Sequence, residues 1–464
     1  MAQISLDRTL QDLYALDNDE GINVSLVYAV PIAEVQMCQG ITLPTKYTYQ
    51  SPLLPTNDAD ELAREFLQLV PQLFGFIAGP MPVNIFDLDR LPSELNVPVD
   101  ARPHRLDAHG VFERLKPSQR PSVNFVTKAE DVICEPGTRV ALINPTDSMD
   151  NLPQLVSPEN HYQVLSKRTL AVSGLPTPKS TVLDVDLTPD QLSDAGVAND
   201  QVHRILDAVR DRALPFVAKL PQSLSGQGTF LVRSEAERSI ALKVLRREVY
   251  RMLAHISPEN QHLRPCSLIL QDIVPGEAVA LSFFVTQKGR VVFNACCRQL
   301  VDAEGNWGGA AIDYLAQDDL AKRYKTVMFK IAEFLHFNKY WGPAGADIMT
   351  NNEGEQLVID MNVRVTGSHP LGALRTFFEE RGLHVATLLF PFLVRGAKAE
   401  FEEAFDEELS QGGLVVLAWV RRRDGKSAMA TVAIAAPEHI ALGKFLARIK
   451  QWEISENNGN KAVL

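Results

Sequence analysis

The chain has 464 residues, of which 45% are hydrophobic and 22% are charged, and this composition predicts two or three globular domains rather than a disordered chain. A formal net charge of -11 argues against nucleic acid or an anionic membrane as the main partner, because either would attract a basic surface. The five cysteines lack CxxC spacing, which argues against a disulfide framework and a zinc knuckle. The N-terminus lacks a basic start followed by an apolar run, and the longest apolar stretch is too short for a bilayer. We therefore expect a cytoplasmic location without membrane association.

The N-terminal third alternates short β-rich runs with amphipathic segments, which predicts an α/β layer. No GxGxxG motif follows its first run, so a dinucleotide site of the usual Rossmann type is not supported. A scaffold or substrate-side domain is the better interpretation. The predicted strands cover residues 23–30, 83–89, 122–127 and 139–145, and a helix covers residues 58–74.

A second domain is predicted to begin near residue 156. A helical pattern over residues 160–174 stops at Gly174, and a Pro-bounded segment then leads into a strand. Residues 187–211 resemble an acid-rich loop and a helix, and another helix follows over residues 235–255.

The segment 215–232 carries a lysine next to a loop of small residues. Lys219 lies on a predicted strand, and Gly226 and Gly228 lie in the loop before a second strand that starts at Thr229. Glycines allow a backbone to approach phosphate closely and to turn its N–H groups toward the oxygens. An ordinary hairpin turn beside a lysine is the commoner alternative, so this segment depends on its neighbours.

The following region predicts a strand, a Pro-Gly turn and a second strand, in which the backbone of residues 272–274 would meet an adenine edge. An ordinary strand connection is the alternative. A hairpin then ends in Arg298, which is a candidate anion contact or a solvated residue of a sheet edge. Residues 303–312 resemble a Gly-rich loop able to move over a ligand.

The most informative stretch is 345–364, which predicts a hairpin with acid, amide and guanidinium on one face. With the turn centred on residues 353 and 354, Asp347 lies opposite Asp360. Alternation places Val358, Asp360, Asn362 and Arg364 on one face and apolar side chains on the other. Carboxylates opposite each other on a sheet repel unless a cation or a proton lies between them.

A cation is the better explanation of this pair. Two carboxylates and one amide suit Mg²⁺, which takes few protein ligands and fills its octahedron with water and phosphate oxygens. Arg364 would reach the same phosphates and stabilise charge that develops during transfer. An exposed hairpin face with unrelated polar residues is the alternative.

Further polar residues follow this hairpin. Ser368 and His369 are placed in a substrate cleft, where His369 would orient a carboxylate or an amine, or else cap the next helix. The C-terminal segment predicts a hairpin with a basic turn and a helix that ends at residue 449. The arginines at 421–423 are predicted to be solvated, with attraction of an acidic substrate as the alternative.

The order of lysine strand, Gly-rich loop, hinge and DxN-bearing hairpin resembles the ATP-grasp superfamily of carboxylate-activating ligases. The resemblance spans roughly residues 157–374 and is most specific in the hairpin 345–364. It implies a mixed α/β and α+β architecture with the ATP-grasp fold. The implied parts are an N-terminal α/β pre-ATP-grasp domain over residues 1–155, an ATP-grasp domain of two subdomains that clasp ATP over 156–400, and a small C-terminal α+β extension over 401–464.

The resemblance also implies residue roles. Asp347, Asp360 and Asn362 would bind Mg²⁺, with Mn²⁺ as an alternative, and Arg364 would contact the transferred phosphate. Arg298, Ser368 and His369 are the further catalytic candidates. The residues assigned to ATP are Lys167, Lys219, Ser225, Gly226, Gln227, Gly228, Gln271, Asp272, Ile273, Val274 and Glu277.

Three positions depart from the family pattern. Asp360 stands where the family usually has Glu, so the number of metal ions stays open. Gln163 stands where a phosphate-binding lysine is expected, and Lys167 is predicted one turn later on the same helix face. Glu277 lies one place before the usual ribose-binding acid, where this chain has Ala278.

The resemblance implies that ATP phosphorylates a carboxylate to an acylphosphate and that an amine displaces phosphate to give an amide. Small-molecule carboxylates and amines would be the partners, and a homodimer is left open. The alternatives are a regulatory protein that binds nucleotide without consuming it, and a ligase that uses a thiol or bicarbonate.

Overall fold

The computed structural model describes residues 2–31, 45–50, 58–87, 98, 102–224, 226–301 and 307–454. The helices are α1 (Leu10–Ala15), α2 (Asp58–Gly75), α3 (Pro103–Phe112), α4 (Pro158–Leu165), α5 (Lys167–Ala171), α6 (Pro189–Leu192), α7 (Ala195–Asp211), α8 (Glu235–Ala254), α9 (Gln317–Arg323), α10 (Lys325–Phe337), α11 (His369–Ala373), α12 (Arg375–Glu379), α13 (Lys398–Ala404), α14 (Asp406–Gln411) and α15 (His439–Lys450). The strands are β1 (Asn23–Val27), β2 (Pro82–Phe86), β3 (Ser122–Val126), β4 (Thr138–Leu142), β5 (Ser180–Asp184), β6 (Phe216–Lys219), β7 (Thr229–Val232), β8 (Ser267–Asp272), β9 (Ala278–Val285), β10 (Val291–Val301), β11 (Trp307–Asp313), β12 (Gly342–Thr350), β13 (Gln356–Asn362), β14 (Val385–Arg395), β15 (Leu414–Arg421) and β16 (Ser427–Ala436).

The N-terminal region is built on a parallel sheet of four strands in the order β3-β2-β1-β4. Its strands alternate with helices because parallel neighbours require crossover connections. Helix α2 packs on this sheet and also on β15 and β16 of the C-terminal segment. The predicted α/β layer is confirmed.

A second sheet of four antiparallel strands has the order β5-β8-β6-β7. Helices α7 and α8 pack against each other beside it and enclose a hydrophobic core of their own. Phe216, Leu245 and Leu268 are fully buried in this core. The Lys219 strand and the Gly-rich loop belong to this smaller unit.

The largest sheet has eight antiparallel strands in the order β13-β12-β9-β10-β11-β14-β16-β15. Strands β8 and β9 lie in different sheets, so residues 273–277 cross from one sheet to the other. The C-terminal hairpin β15–β16 continues the large sheet, and the predicted final helix follows it as α15. One hydrophobic core joins the N-terminal region, the large sheet and the C-terminal segment.

Two local predictions are wrong. The pattern over residues 160–174 forms two helices, because Ser166 is extended between them and caps the second by accepting from the Arg168 N–H. The predicted Gly-rich loop is strand β11 from Trp307 onward, and its first residues, 303–306, lie outside the described residues. A Cβ on Gly309 would lie 2.0 Å from the Leu388 carbonyl oxygen, so this glycine serves close strand pairing.

The basic turn also differs from its prediction. The Arg421 and Arg422 guanidinium groups pair with Asp107 at 3.3 Å and with Glu65 at 2.9 Å, and both acids belong to the N-terminal region. These side chains therefore join the two ends of the chain. Within the described ranges, no helix is both long enough and apolar enough to cross a membrane.

Candidate active site

Strands β12 and β13 bring the two predicted carboxylates face to face. Asp347 pairs with Asp360 across the ladder, as the alternation predicts. The register then shifts by one residue, so that Ile348 pairs with Val358 and Ile359 is left as a β-bulge. This bulge turns Val358 into the hydrophobic core, where it is fully buried, and the prediction that Val358 shares the polar face is wrong.

Asp347 is a partly buried carboxylate whose ionised form is disfavoured by its surroundings. Burial, together with the charge of Asp360, raises its pKa to about 7. The Gln299 side-chain amide donates to Asp347 Oδ1 at 2.6 Å and opposes this rise. A cation between the carboxylates would relieve their repulsion, so the site fits the Mg²⁺ that was predicted from the sequence.

Asn362 and Arg364 follow on the same segment. Burial lowers the pKa of Arg364, while Asp360 and Asp347 lie close enough to oppose that effect. Across the described residues, the Arg364 guanidinium has no hydrogen bond or ion pair. Among those residues there is also no group of three or more His, Cys, Asp and Glu side chains that could hold a metal ion, so a metal here would depend on the Asn362 amide and on ligand oxygens.

Lys219 ends strand β6 and points at the hairpin. Its side-chain ammonium donates to the carbonyl oxygen of Ile359, the bulged residue, at 2.6 Å. Lys219 is only 7% exposed, and burial lowers its pKa to about 8 against the favourable charges of Asp360 and Asp347. The bulge thus provides an acceptor that directs a lysine toward the carboxylates.

Lys167 also reaches this site, by a route that differs from the prediction. Helix α4 ends before Lys167, which is the first residue of α5, so it does not share a helix face with the exposed Gln163. The Lys167 ammonium donates to the Ser223 carbonyl oxygen at 2.8 Å and lies 3.5 Å from Asp360 Oδ2. It therefore links the base of the Gly-rich loop to the β12–β13 hairpin.

The Gly-rich loop has the backbone that the sequence predicts, although Ser225 lies outside the described residues. Gly226 and Gly228 have φ values of +80° and +70°, which favour glycine. Gln227 between them is 7% exposed. The base of the loop is held by Gln50, whose side-chain oxygen accepts from the Gln222 backbone N–H at 2.7 Å.

The predicted hinge is the crossing between β8 and β9. Gln271 is buried and donates to Ser180 Oγ at 3.1 Å, while the exposed Asp272 accepts from Arg212 at 2.6 Å. Within the described chain, no backbone hydrogen bond engages Ile273 or Val274, so their polar groups are available to an adenine edge. Glu277 is exposed beyond Gly276.

Arg298 does not join the site, which contradicts its prediction as an anion contact. Gln299 bonds to Asp347, and neighbouring residues on a strand point to opposite faces of the sheet. Arg298 is accordingly exposed on the other face. The polar residue that sequence reasoning missed is Gln299, which strand alternation alone did not distinguish from its neighbour.

Ser368 and His369 are buried at the start of α11. The Ser368 hydroxyl lies 3.1 Å from that of Thr366. Burial lowers the pKa of His369 to about 4, and its Nδ1 has no partner among the described atoms. His369 is the first residue of α11, and Ser368 occupies the N-cap position. The alternative that His369 caps this helix is therefore not supported.

The family comparison agrees with this geometry. Residues 207–368 match the model of the ATP-grasp domain. These residues therefore form an ATP-grasp domain. The match covers Lys219, the Gly-rich loop, the hinge and the β12–β13 hairpin, so the sequence resemblance and the predicted fold are confirmed.

Solved structures with weak likeness to this chain include two synthetases and one ligase. N5-carboxyaminoimidazole ribonucleotide synthetase from Thermus thermophilus is 19% identical, with a TM-score of 0.41 over 70% of this chain and 83% of that one. N5-carboxyaminoimidazole synthetase from Staphylococcus aureus is 8% identical, with a TM-score of 0.45 over 97% and 98%. Phosphoribosylamine–glycine ligase from Thermotoga maritima is 13% identical, with a TM-score of 0.43 over 72% and 87%. No curated protein matches significantly in sequence.

Proposed function

We propose that the protein is an ATP- and Mg²⁺-dependent ligase that activates a carboxylate as an acylphosphate and couples it to an amine. The observation that carries the proposal is the facing pair Asp347 and Asp360, at which Lys167 and Lys219 are directed. Arg364 lies beside the pair and has no hydrogen bond or ion pair to any residue that the structure describes. A reaction that forms an amide through an acylphosphate needs charge neutralisation and positioning of the reactants more than a covalent nucleophile of the protein.

Mg²⁺ bound to Asp347, Asp360 and Asn362 would neutralise charge on the phosphates of ATP. Lys219 and Lys167 would exchange their present carbonyl and carboxylate partners for phosphate oxygens. Ile273 and Val274 would offer backbone groups to the adenine, and Gly226 and Gly228 would let the loop backbone approach the phosphates.

The chemistry balances in two steps. A substrate carboxylate oxygen attacks the γ-phosphorus, and ADP leaves with the bond between the β- and γ-phosphates broken. The amine then attacks the acyl carbon, loses a proton and releases phosphate, which leaves an amide. Arg364 is placed to stabilise negative charge on the transferred phosphoryl group in the first step.

His369 has a narrower role than the sequence predicts. Because its pKa is about 4, it is neutral near pH 7 and would not attract a carboxylate as a cation. We still propose a small-molecule carboxylate and an amine as the partners. The carboxylate would be recognised by residues of the cleft other than His369. A cytoplasmic location and a homodimer remain predictions.

Product analysis tests this proposal. The protein is incubated with ATP, Mg²⁺ and pooled carboxylates and amines, beside an Asp360→Asn variant. ADP and phosphate that appear only with particular pairs, and not with the variant, support the ligase. AMP and pyrophosphate would contradict the acylphosphate step, and Mg-ATP binding without turnover would favour the nucleotide sensor. Turnover that requires a thiol or bicarbonate would identify the other acceptor classes.

A further inference from the structure

A buried histidine touches the segment that carries Arg364. His161 lies on α4, is 4% exposed, and its Nε2 is 2.7 Å from the carbonyl oxygen of Val363. A carbonyl oxygen only accepts hydrogen bonds, so Nε2 must carry the proton and donate. The contact joins residues 202 positions apart in the sequence.

Val363 is the first residue after the end of strand β13, where pairing with β12 stops. Strand β13 stops at Asn362, and the Arg364 N–H turns back to the Asn362 carbonyl oxygen at 2.8 Å. The Val363 carbonyl therefore points away from the ladder and toward α4. His161 supplies the donor that this buried carbonyl would otherwise lack.

The histidine is itself held in place. Its ring centroid lies 5.3 Å from that of Tyr340, whose hydroxyl donates to the Pro343 carbonyl oxygen at 2.5 Å. Burial, together with the nearby Arg364 cation, lowers the pKa of His161 to about 4, although the hydrogen bond to the Val363 carbonyl opposes this shift. The donor is therefore a neutral imidazole throughout the usual assay range.

Helix α4 also contacts the base of the Gly-rich loop through Tyr162, the residue after His161. The Tyr162 carbonyl oxygen accepts from the Gln222 side-chain amide at 2.7 Å, and Gln222 lies at the base of the Gly-rich loop. One turn of helix thus contacts both the loop and the Arg364 segment.

We propose that His161 is a positioning residue that holds the backbone between Asn362 and Arg364, and so directs Arg364 at the γ-phosphate. This inference rests on the proposed function for the role of Arg364. His161 touches neither nucleotide nor substrate in this scheme and acts only through the Val363 carbonyl.

The test compares binding of ADP with binding of a non-hydrolysable ATP analogue, since only the analogue carries the γ-phosphate. In His161→Leu the preference for the analogue should fall by about tenfold, as for other residues that orient a ligand through a hydrogen bond. ADP affinity should stay close to that of the parent protein. His161→Gln keeps an N–H donor and should restore most of the preference.

Val164→Ala is the matched control, because Val164 is buried on the same helix and its side chain has no donor for the Val363 carbonyl. It should lose stability while keeping the analogue preference. An unchanged preference in His161→Leu would overturn the inference, as would an equal loss in Val164→Ala or a parent protein without any preference for the analogue.

This binding readout separates the two proposals. Failure to form any product with the parent protein would count against the ligase, whereas the nucleotide preference would still report on His161. Where turnover is found, His161→Leu should lower kcat without displacing the pH profile, because a neutral donor has no titration in that range. A displaced profile would instead indicate acid–base chemistry and overturn the positioning role.

Discussion

Two hairpins form the site and they do different work. The β12–β13 hairpin belongs to the eight-stranded sheet, and its buried side chains Ala346, Ile348 and Met361 join the main core. The β6–β7 hairpin has strands of four residues, belongs to the smaller sheet and packs into a separate core. The first presents charged side chains on rigid strands, and the second presents backbone on a loop between two glycines of positive φ.

The two hairpins meet different physical requirements of the proposed phosphate site. The Asp347 and Asp360 carboxylates repel each other and must be held at a defined separation. The pairing of β12 with β13, whose other face is buried in the core, provides this. Backbone N–H groups that approach phosphate need a conformation that side chains obstruct, which glycine provides. Lys219 connects the two hairpins, because it ends one and donates to the bulge of the other.

The largest effect is expected from Asp360→Asn on the rigid hairpin. Losing a charged ligand should lower turnover by on the order of a thousandfold and weaken Mn²⁺ binding. Steady-state rates and Mn²⁺ titration measure both effects. Glu353→Gln, an exposed acid in the turn of the same hairpin, is the control and should change neither. Equal losses in the two variants would show that hairpin stability, rather than the carboxylate, is responsible.

The connection between the hairpins is tested by Lys219→Met. We expect turnover to fall by about a hundredfold, because a buried cation aimed at the phosphates is removed. Lys243→Met removes an exposed lysine of α8 from the same unit and should leave the rate unchanged. Rates at saturating ATP distinguish the two, and full activity of the Lys219 variant would exclude it from the site.

Gly228→Ala and Gly354→Ala compare the Gly-rich loop with the turn of the β12–β13 hairpin. Both glycines have positive φ, so each alanine should cost about 1–2 kcal/mol of stability. A Cβ on Gly228 would lie 2.8 Å from Ser223 Cβ, whereas a Cβ on Gly354 meets nothing within 4 Å. Only Gly228→Ala should therefore raise the KM for ATP, by about tenfold. Equal KM values for the two variants would contradict the assignment of the loop to phosphate.

The smallest expected effect is a pH dependence of stability that comes from the carboxylate pair. The pKa of Asp347 in the folded state is about 7, above its ordinary value of 3.8, so the folded state binds more protons than the unfolded state between these pH values. Without metal, the free energy of unfolding should fall as pH rises through this window. Mg²⁺ should restore stability above it, because the ion binds the ionised pair of the folded state.

Urea unfolding without metal at about pH 5 and about pH 8 measures this effect. The difference between the two pH values should be smaller in Asp347→Asn, which cannot ionise there. Identical pH dependence in the parent and variant would show that Asp347 is not the responsible group.

Much of the site was predictable from residue order. Alternation placed Asp347 opposite Asp360, and the glycines at 226 and 228 have the predicted conformation. The error at Arg298 has a physical cause, since β10 contains an irregularity between Phe293 and Ala295 and its face is set by pairing with β9. A bulge depends on the partner strand and leaves no clear mark in the sequence.

Residue order alone was enough to predict most of the strands and helices, the acid pair and the ATP-grasp resemblance, because alternation and turn preferences act over a few residues. It missed the break between α4 and α5 and the start of β11. Only the tertiary structure decided that Lys219 meets the bulge at Ile359, that Lys167 reaches Asp360 and that His161 holds Val363. These contacts join residues 140 to 202 positions apart for Lys219 and His161. Such pairs form only when separate elements pack, and no local pattern of residue types encodes them.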